Sequence, residues 1–163
     1  MKTAVIYYSF EGDTELIAKV IAEEIGADLI PLEPVNVIES KEYMKNVIAD
    51  KQVRLKTKPL LKEYEFDAND YDLLIFGTPI WSSTFAPALR TFFSQEVITD
   101  KKIGLFYCFT VKPGLIVKRL SEALKGNDIL DHIGFVDPKK NNTEEKIEDA
   151  KKWVTNLLEK AQQ

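Results

Sequence analysis

The chain has 163 residues and a mass of 18.6 kDa, the size of one domain, and 45% of it is hydrophobic, enough for a proper core. Its 22 basic and 26 acidic residues leave a net charge of −4, which argues against a nucleic-acid binder. A single histidine and a single cysteine exclude four-cysteine, mixed or three-histidine zinc sites and any intrachain disulfide, and side-chain nucleophile catalysis would rest on His132 alone. A bound cofactor is therefore the better source of chemistry.

The N-terminal apolar run is about five residues, too short for a signal-sequence core, and no stretch approaches the ~20 apolar residues that span a bilayer. Cys108, set in an apolar run, suits a reducing compartment and a buried thiol. These features read as a cytoplasmic protein without membrane contact.

Strand and helix signals alternate along the chain. Residues 4–8, Ala-Val-Ile-Tyr-Tyr, are short, apolar and β-rich, as a strand buried on both faces should be. After a turn at 9–13, Ile17, Ile21 and Ile25 recur with Leu16 and Val20 beside them, an apolar helical face that Gly26 is placed to end. Residues 27–32 make a second strand. Over 33–70 the pattern suggests a Ser40-capped helix to about Asp50 carrying Tyr43, Val47 and Ile48. The basic cluster Lys51, Arg54, Lys56, Lys58 and Lys62 follows, then Glu63, Glu65, Asp67 and Asp70; this reads as a solvated crossover surface, and Pro59 opposes helix there. Residues 73–76 are the clearest buried strand and end at Gly77-Thr78-Pro79. Pro87 opens a short helix to Phe93. A fourth strand at 103–109, a helix at 115–124 closing with Gly126, and a fifth strand at 129–136 come next. The last helix opens on Asn142-x-x-Glu145, with Thr143 as a rival cap, and its inner face is Ile147, Ala150, Val154, Leu157, Leu158 and Ala161. This alternation predicts an α/β three-layer sandwich, a five-stranded parallel sheet with helices on both faces, as one domain over 1–163.

In an open α/β sheet a ligand sits outside the carboxyl ends of the strands, at the switch point. The loops at 9–14, 77–85 and 109–114 therefore carry the candidate site. The first lacks a Walker lysine and a G-x-G-x-x-G pattern, but it opens a helix whose free N–H groups suit a phosphate, with Ser9 and Thr14 as hydroxyl donors. It contains no Lys or Arg, so neutral donors and the helix dipole would hold the anion. Glu11 and Asp13 must then point outward, or Asp13 must cap the helix; ordinary capping by Asp13 or Thr14 is the competing explanation. In the second loop Trp81 is either packing or a platform for a planar ligand. The third brings Phe109, Thr110 and Lys112. One loop with phosphate donors, one with an aromatic wall and one with a polar edge together fit a flat ring with a phosphate tail.

On these residues the sequence resembles the flavodoxin family. Ser9-x-x-Gly12-x-Thr14 looks like its FMN phosphate loop, and the run from Tyr71-Asp72 through Gly77-Thr78-Pro79-Ile80-Trp81, continued by Pro87 to Phe93, looks like the strand and loop beside the isoalloxazine ring. The long 33–70 segment with Lys58-Pro59-Leu60 is similar to the branch with an extended second crossover. The resemblance implies strand order 2-1-3-4-5 and noncovalent FMN. By the same resemblance Ser9, Glu11, Gly12, Asp13 and Thr14 surround the phosphate, Glu11 and Gly12 chiefly by backbone N–H. Thr78, Pro79, Ile80 and Trp81 border the ring, with Trp81 its stacking partner, and Phe109 and Thr110 border its other side or its pyrimidine edge. Asp13 stands where the family often has Asn, and an acid there weakens phosphate binding unless it turns away.

Lys112 has two readings, a solvent-facing loop lysine or a cation that stabilises the negative charge of reduced flavin. His132 is read as structural or surface, Cys108 as a core thiol with a flavin-edge or redox role as the alternative, and Trp153, beside the apolar stripe of the last helix, as packing against the sheet or a neighbour; Tyr7 and Tyr8 are read as strand packing, with Tyr8 close to the phosphate loop. The implied function is noncovalent FMN binding and electron transfer with a redox partner protein or a small-molecule acceptor. The alternatives are an FMN-dependent NAD(P)H or quinone reductase of the same fold, and a non-redox module that has lost FMN.

Overall fold

Thr3–Tyr7 (β1) has no polar face, and every residue in it is buried, Ala4, Val5 and Ile6 completely. A strand of this kind belongs in the middle of a parallel sheet covered on both sides. The computed structural model describes the backbone of residues 1–36 and 42–163, and the side chains of 1–36 and 48–163. In it β1 lies between Asp28–Pro31 (β2) and Leu73–Trp81 (β3), parallel to both. Beyond β3 come Lys102–Phe109 (β5) and Asp128–Val136 (β6), also parallel. The order is β2-β1-β3-β5-β6. Counting the parallel strands alone, this is the expected 2-1-3-4-5.

The period-2 alternation along β1 divides the core. Ala4, Ile6 and Tyr8 face one apolar cluster; Val5 and Tyr7 face the other. The second cluster is closed by Asp13–Ile25 (α1) and Thr143–Gln162 (α5), through Ile17, Ile21, Val154 and Leu157. The first takes Ala49 from Glu42–Arg54 (α2), Leu89 and Phe92 from Pro87–Gln95 (α3), and Ile116 and Leu120 from Ile116–Ala123 (α4). Each fully buried Leu, Ile or Phe contributes ~1.5–3 kcal/mol of hydrophobic free energy, so two such layers hold the sheet from both sides.

Most expected elements appear with small boundary shifts. Gly26, at φ +64°, ends α1, and Pro87 occupies the first turn of α3. The helix expected up to Asp50 runs on to Arg54; its Ser40 cap and the side chains of Tyr43 and Val47 lie outside the described residues. A short 3-10 turn at Ala68–Asp70 was not signalled by periodicity; Asp67 caps it by accepting from the N–H of Asn69. The expected side-chain cap of α5 is absent. Asn142 sits in the left-handed region without a capping bond, and the Thr143 hydroxyl donates instead to the carbonyl of Pro138. Trp153 is buried on the inner face of α5 rather than beside it.

The largest departure is at 77–85. The expected polar loop is a continuation of β3, which keeps its ladder with β5 as far as Pro79 opposite Cys108. After Trp81 the chain reverses in two residues, Ser82 and Ser83, at φ +50° and +64°, and returns as Thr84–Phe85 (β4), antiparallel to β3. Both turn residues in the left-handed region is the pattern that matches the twist of a two-residue hairpin. Serine there gives none of the Gly or Asn signal by which such a turn is read from sequence.

Candidate functional site

The carboxyl ends of β1, β3 and β5 open into a cleft of about 160 Å³ at the switch point of the sheet. Its floor and first wall come from the β1–α1 loop. The Ser9 Oγ accepts from the N–H of Gly12 at 3.2 Å and of Glu15 at 3.1 Å. It is therefore Ser9, not Asp13 or Thr14, that supplies the side-chain acceptor at the start of α1. Two N–H groups are satisfied this way and Leu16 N–H bonds Gly12 O. The N–H groups of Asp13 and Thr14, in the first turn of α1, have no hydrogen-bond partner among the described residues and are placed to meet an external acceptor. The Ser9 hydroxyl keeps its own hydrogen to donate.

Gly12 holds φ at +101°, a conformation that needs glycine at this turn. A Cβ there would also come within 2.8 Å of the Lys139 Nζ. Lys139 lies in the β6–α5 loop, and its backbone N–H donates to the Asp13 Oδ1 at 2.9 Å while its ammonium donates to the Glu11 carbonyl at 3.3 Å. The Asp13 carboxylate is thereby bound to a neighbouring loop. Thr14 is almost fully buried and lines the cleft beside Cys108.

Trp81 makes the second wall, though not as an exposed platform. It is 9% exposed and packed edge-on against Tyr8, at 5.6 Å between centroids, and Phe10, at 5.1 Å. Continuation of β3 carries it inward, where the aromatic cluster fixes its plane. Its far side borders a second cavity of about 350 Å³, lined by Tyr8, Leu32, Gln52 and Lys62 among others. Burial pushes the Tyr8 hydroxyl up to about 12, so it stays neutral. The opposite wall is Phe109 and Thr110; the Thr110 hydroxyl donates to Asp137 Oδ1 at 2.9 Å, which ties the β5 and β6 loops together.

Of the residues expected from sequence, Glu11, Asp13, Thr14, Pro79, Ile80, Trp81, Phe109 and Thr110 line this cleft together. Ser9 and Gly12 shape the loop beneath it. Thr78 is fully buried and internally satisfied, donating to Pro79 O and accepting from the N–H of Ala86. Lys112 is exposed and is not among the lining residues described, the geometry of a solvent-facing loop lysine. His132 is exposed on edge strand β6, its Nδ1 3.1 Å from the Tyr107 hydroxyl. Four contributors had not been expected as site residues: Phe10, Cys108, Asp137 and Lys139. The signal for the last two was available, because every loop that follows a parallel strand emerges on the same edge of the sheet, the fifth included.

The residues present suit FMN. Unpaired N–H groups at a helix start and a glycine cradle meet aromatic walls in one cleft, and the acid that would repel a phosphate is held by a neighbouring backbone N–H. A doubly wound sheet with this cleft at its switch point defines a mononucleotide-type α/β protein. The sequence model of the flavodoxin family matches residues 2–157, and the chain belongs to that family. Solved structures share the fold. A flavoprotein of Lactobacillus acidophilus NCFM, determined in complex with FMN, is 23% identical over 87% of this chain and 97% of its own, with a TM-score of 0.70. A suspected flavoprotein of Bacteroides uniformis ATCC 8492 is 19% identical over 94% and 97%, with a TM-score of 0.78. A flavodoxin, WrbA-like protein of Agrobacterium tumefaciens is 16% identical over 99% and 97%, with a TM-score of 0.60. Among the described residues no helix is long and apolar enough to cross a membrane.

Proposed function

We propose that this chain is a single-domain, flavodoxin-like flavoprotein that binds FMN noncovalently in the switch-point cleft and transfers electrons. One observation carries the reading: the start of α1, whose Asp13 and Thr14 N–H groups have no partner among the described residues, opens into the same cleft as the aromatic walls of Trp81 and Phe109. FMN, when bound, supplies reversible one- and two-electron chemistry. The chain's own part is to anchor the phosphate at the helix start and to fix the ring between Trp81 and Phe109. It also keeps Cys108 and the tyrosines around the site protonated. A redox partner protein or small-molecule acceptor completes the cycle, and the single buried thiol supports a cytoplasmic setting.

The test is direct. Purified protein should be yellow and release one equivalent of FMN on denaturation, and the apoprotein should take FMN up again. Colourless protein that cannot be reconstituted would overturn the proposal. NAD(P)H oxidation with a quinone acceptor, above a free-FMN control, would move the protein from carrier to reductase.

A further inference from the structure

Flavin binding by this chain, as proposed above, leaves one charge unexplained. The phosphate loop holds Glu11, Asp13 and, one turn on, Glu15, with no cation of its own. The structure delivers a cation from 126 residues away in sequence. The Lys139 ammonium lies against Glu11 O and over Gly12, at the mouth of the first turn of α1. Among the described residues it makes no ion pair, although two carboxylates belong to the loop it covers. The backbone of the same residue takes up the Asp13 carboxylate. One residue thus does two things at once: it turns an acid aside through its N–H and holds an uncompensated ammonium where N–H groups of the helix start are unpaired.

We infer that Lys139 is a phosphate-binding residue of the FMN site, and that it lets the site distinguish FMN from flavins without a phosphate. The ammonium needs only to leave the Glu11 carbonyl, a single exposed hydrogen bond, to reach an anion seated at Asp13 and Thr14 N–H. Charge-assisted bonds of this kind are stronger than the neutral one given up. The interaction is partly exposed, so it is sensitive to ionic strength. Gly12 is then required for a second reason besides its φ, since any side chain there would occupy the path of the ammonium.

The experiment titrates apoprotein with FMN and with riboflavin, following the loss of flavin fluorescence, at low and moderate salt. Lys139→Gln keeps most of the side chain and the backbone bond to Asp13. It should weaken FMN about tenfold, equivalent to ~1.4 kcal/mol, leave riboflavin within about twofold, and flatten the salt dependence of FMN binding. Lys139→Arg should restore most of the affinity. Lys140→Ala removes the same charge one residue further on, from an exposed side chain, and should change FMN binding less than about twofold. Thermal melts of each variant report on folding, and the riboflavin titration is an internal check of the ring site. Equal losses for FMN and riboflavin, no loss for either, or an equal loss in Lys140→Ala would overturn the inference while leaving FMN binding intact. Wild-type protein that binds neither flavin would overturn the functional reading and this inference with it.

Discussion

The state of Cys108 sets how reactive the one thiol of the chain can be. Its side chain is 4% exposed at the inner end of the cleft. Burial pushes the thiol up to about 12; the neighbouring Thr14 hydroxyl works against this, and the charges of Asp13 and Asp137 add to it. An unperturbed thiol ionises at about 8.5, far below the buried group, and unfolding returns Cys108 to that value. At about pH 8 the native thiolate population is then ~1000-fold or more below that of the unfolded chain. The native protein should react with an aromatic disulfide reagent orders of magnitude more slowly than the same protein in urea.

The same shift has a signature in stability. Because the folded value is raised, the neutral thiol is favoured by folding and its contribution is complete below the unfolded value. Stability then falls as pH rises above about 8.5, by about 2 kcal/mol from this group at about pH 10. Cys108→Ala should flatten that alkaline slope in urea melts. Stoichiometric labelling of the native protein within the mixing time, or an alkaline slope identical in Cys108→Ala, would refute the reasoning.

Gly77→Ala places a Cβ 2.0 Å from the Phe106 ring in the sheet centre, and the ring has no free end to swing away. The expected loss is ~1–3 kcal/mol, read from urea midpoints. Asp13→Asn keeps an oxygen for the Lys139 N–H but removes a negative charge beside the phosphate loop; FMN should bind roughly three- to tenfold more tightly, measured by fluorescence titration. At Asp131 burial favours the protonated form, but the Lys160 ammonium, 2.6 Å away, and the His132 N–H outweigh it and hold the carboxyl below its ordinary value. Its stabilisation is therefore present above about pH 4 and lost as pH falls through the lowered folded value. With side chains 29% and 47% exposed, Asp131→Asn should cost at most ~1 kcal/mol near neutrality, and the two proteins should converge in acid.

Local pattern was sufficient wherever the physics was local. Five apolar residues without a polar face could only be a central strand, and β1 is one. Isoleucines four apart fixed the buried side of α1, and Gly26 its end. Alternation of such units implied a doubly wound sheet, and the common direction of its parallel strands then put the loops after the first, third and fourth on one edge. That is why eight of the expected site residues do meet in one cleft.

What the sequence could not supply was anything set by contacts between distant segments. Trp81 reads as an exposed ring in a polar loop because the two serines after it conceal a tight turn; the ladder to β5 extends the strand and buries the ring against Tyr8 and Phe10. The capping oxygen of α1 comes from Ser9, six residues before the second N–H it serves, and the expected caps of α5 are turned to other partners. The cation over the phosphate loop comes from the far end of the chain. Periodicity and spacing describe neighbours along the backbone; the charge balance of a site is summed over neighbours in space, and here only the folded chain brings Lys139 to Glu11, Gly12 and Asp13.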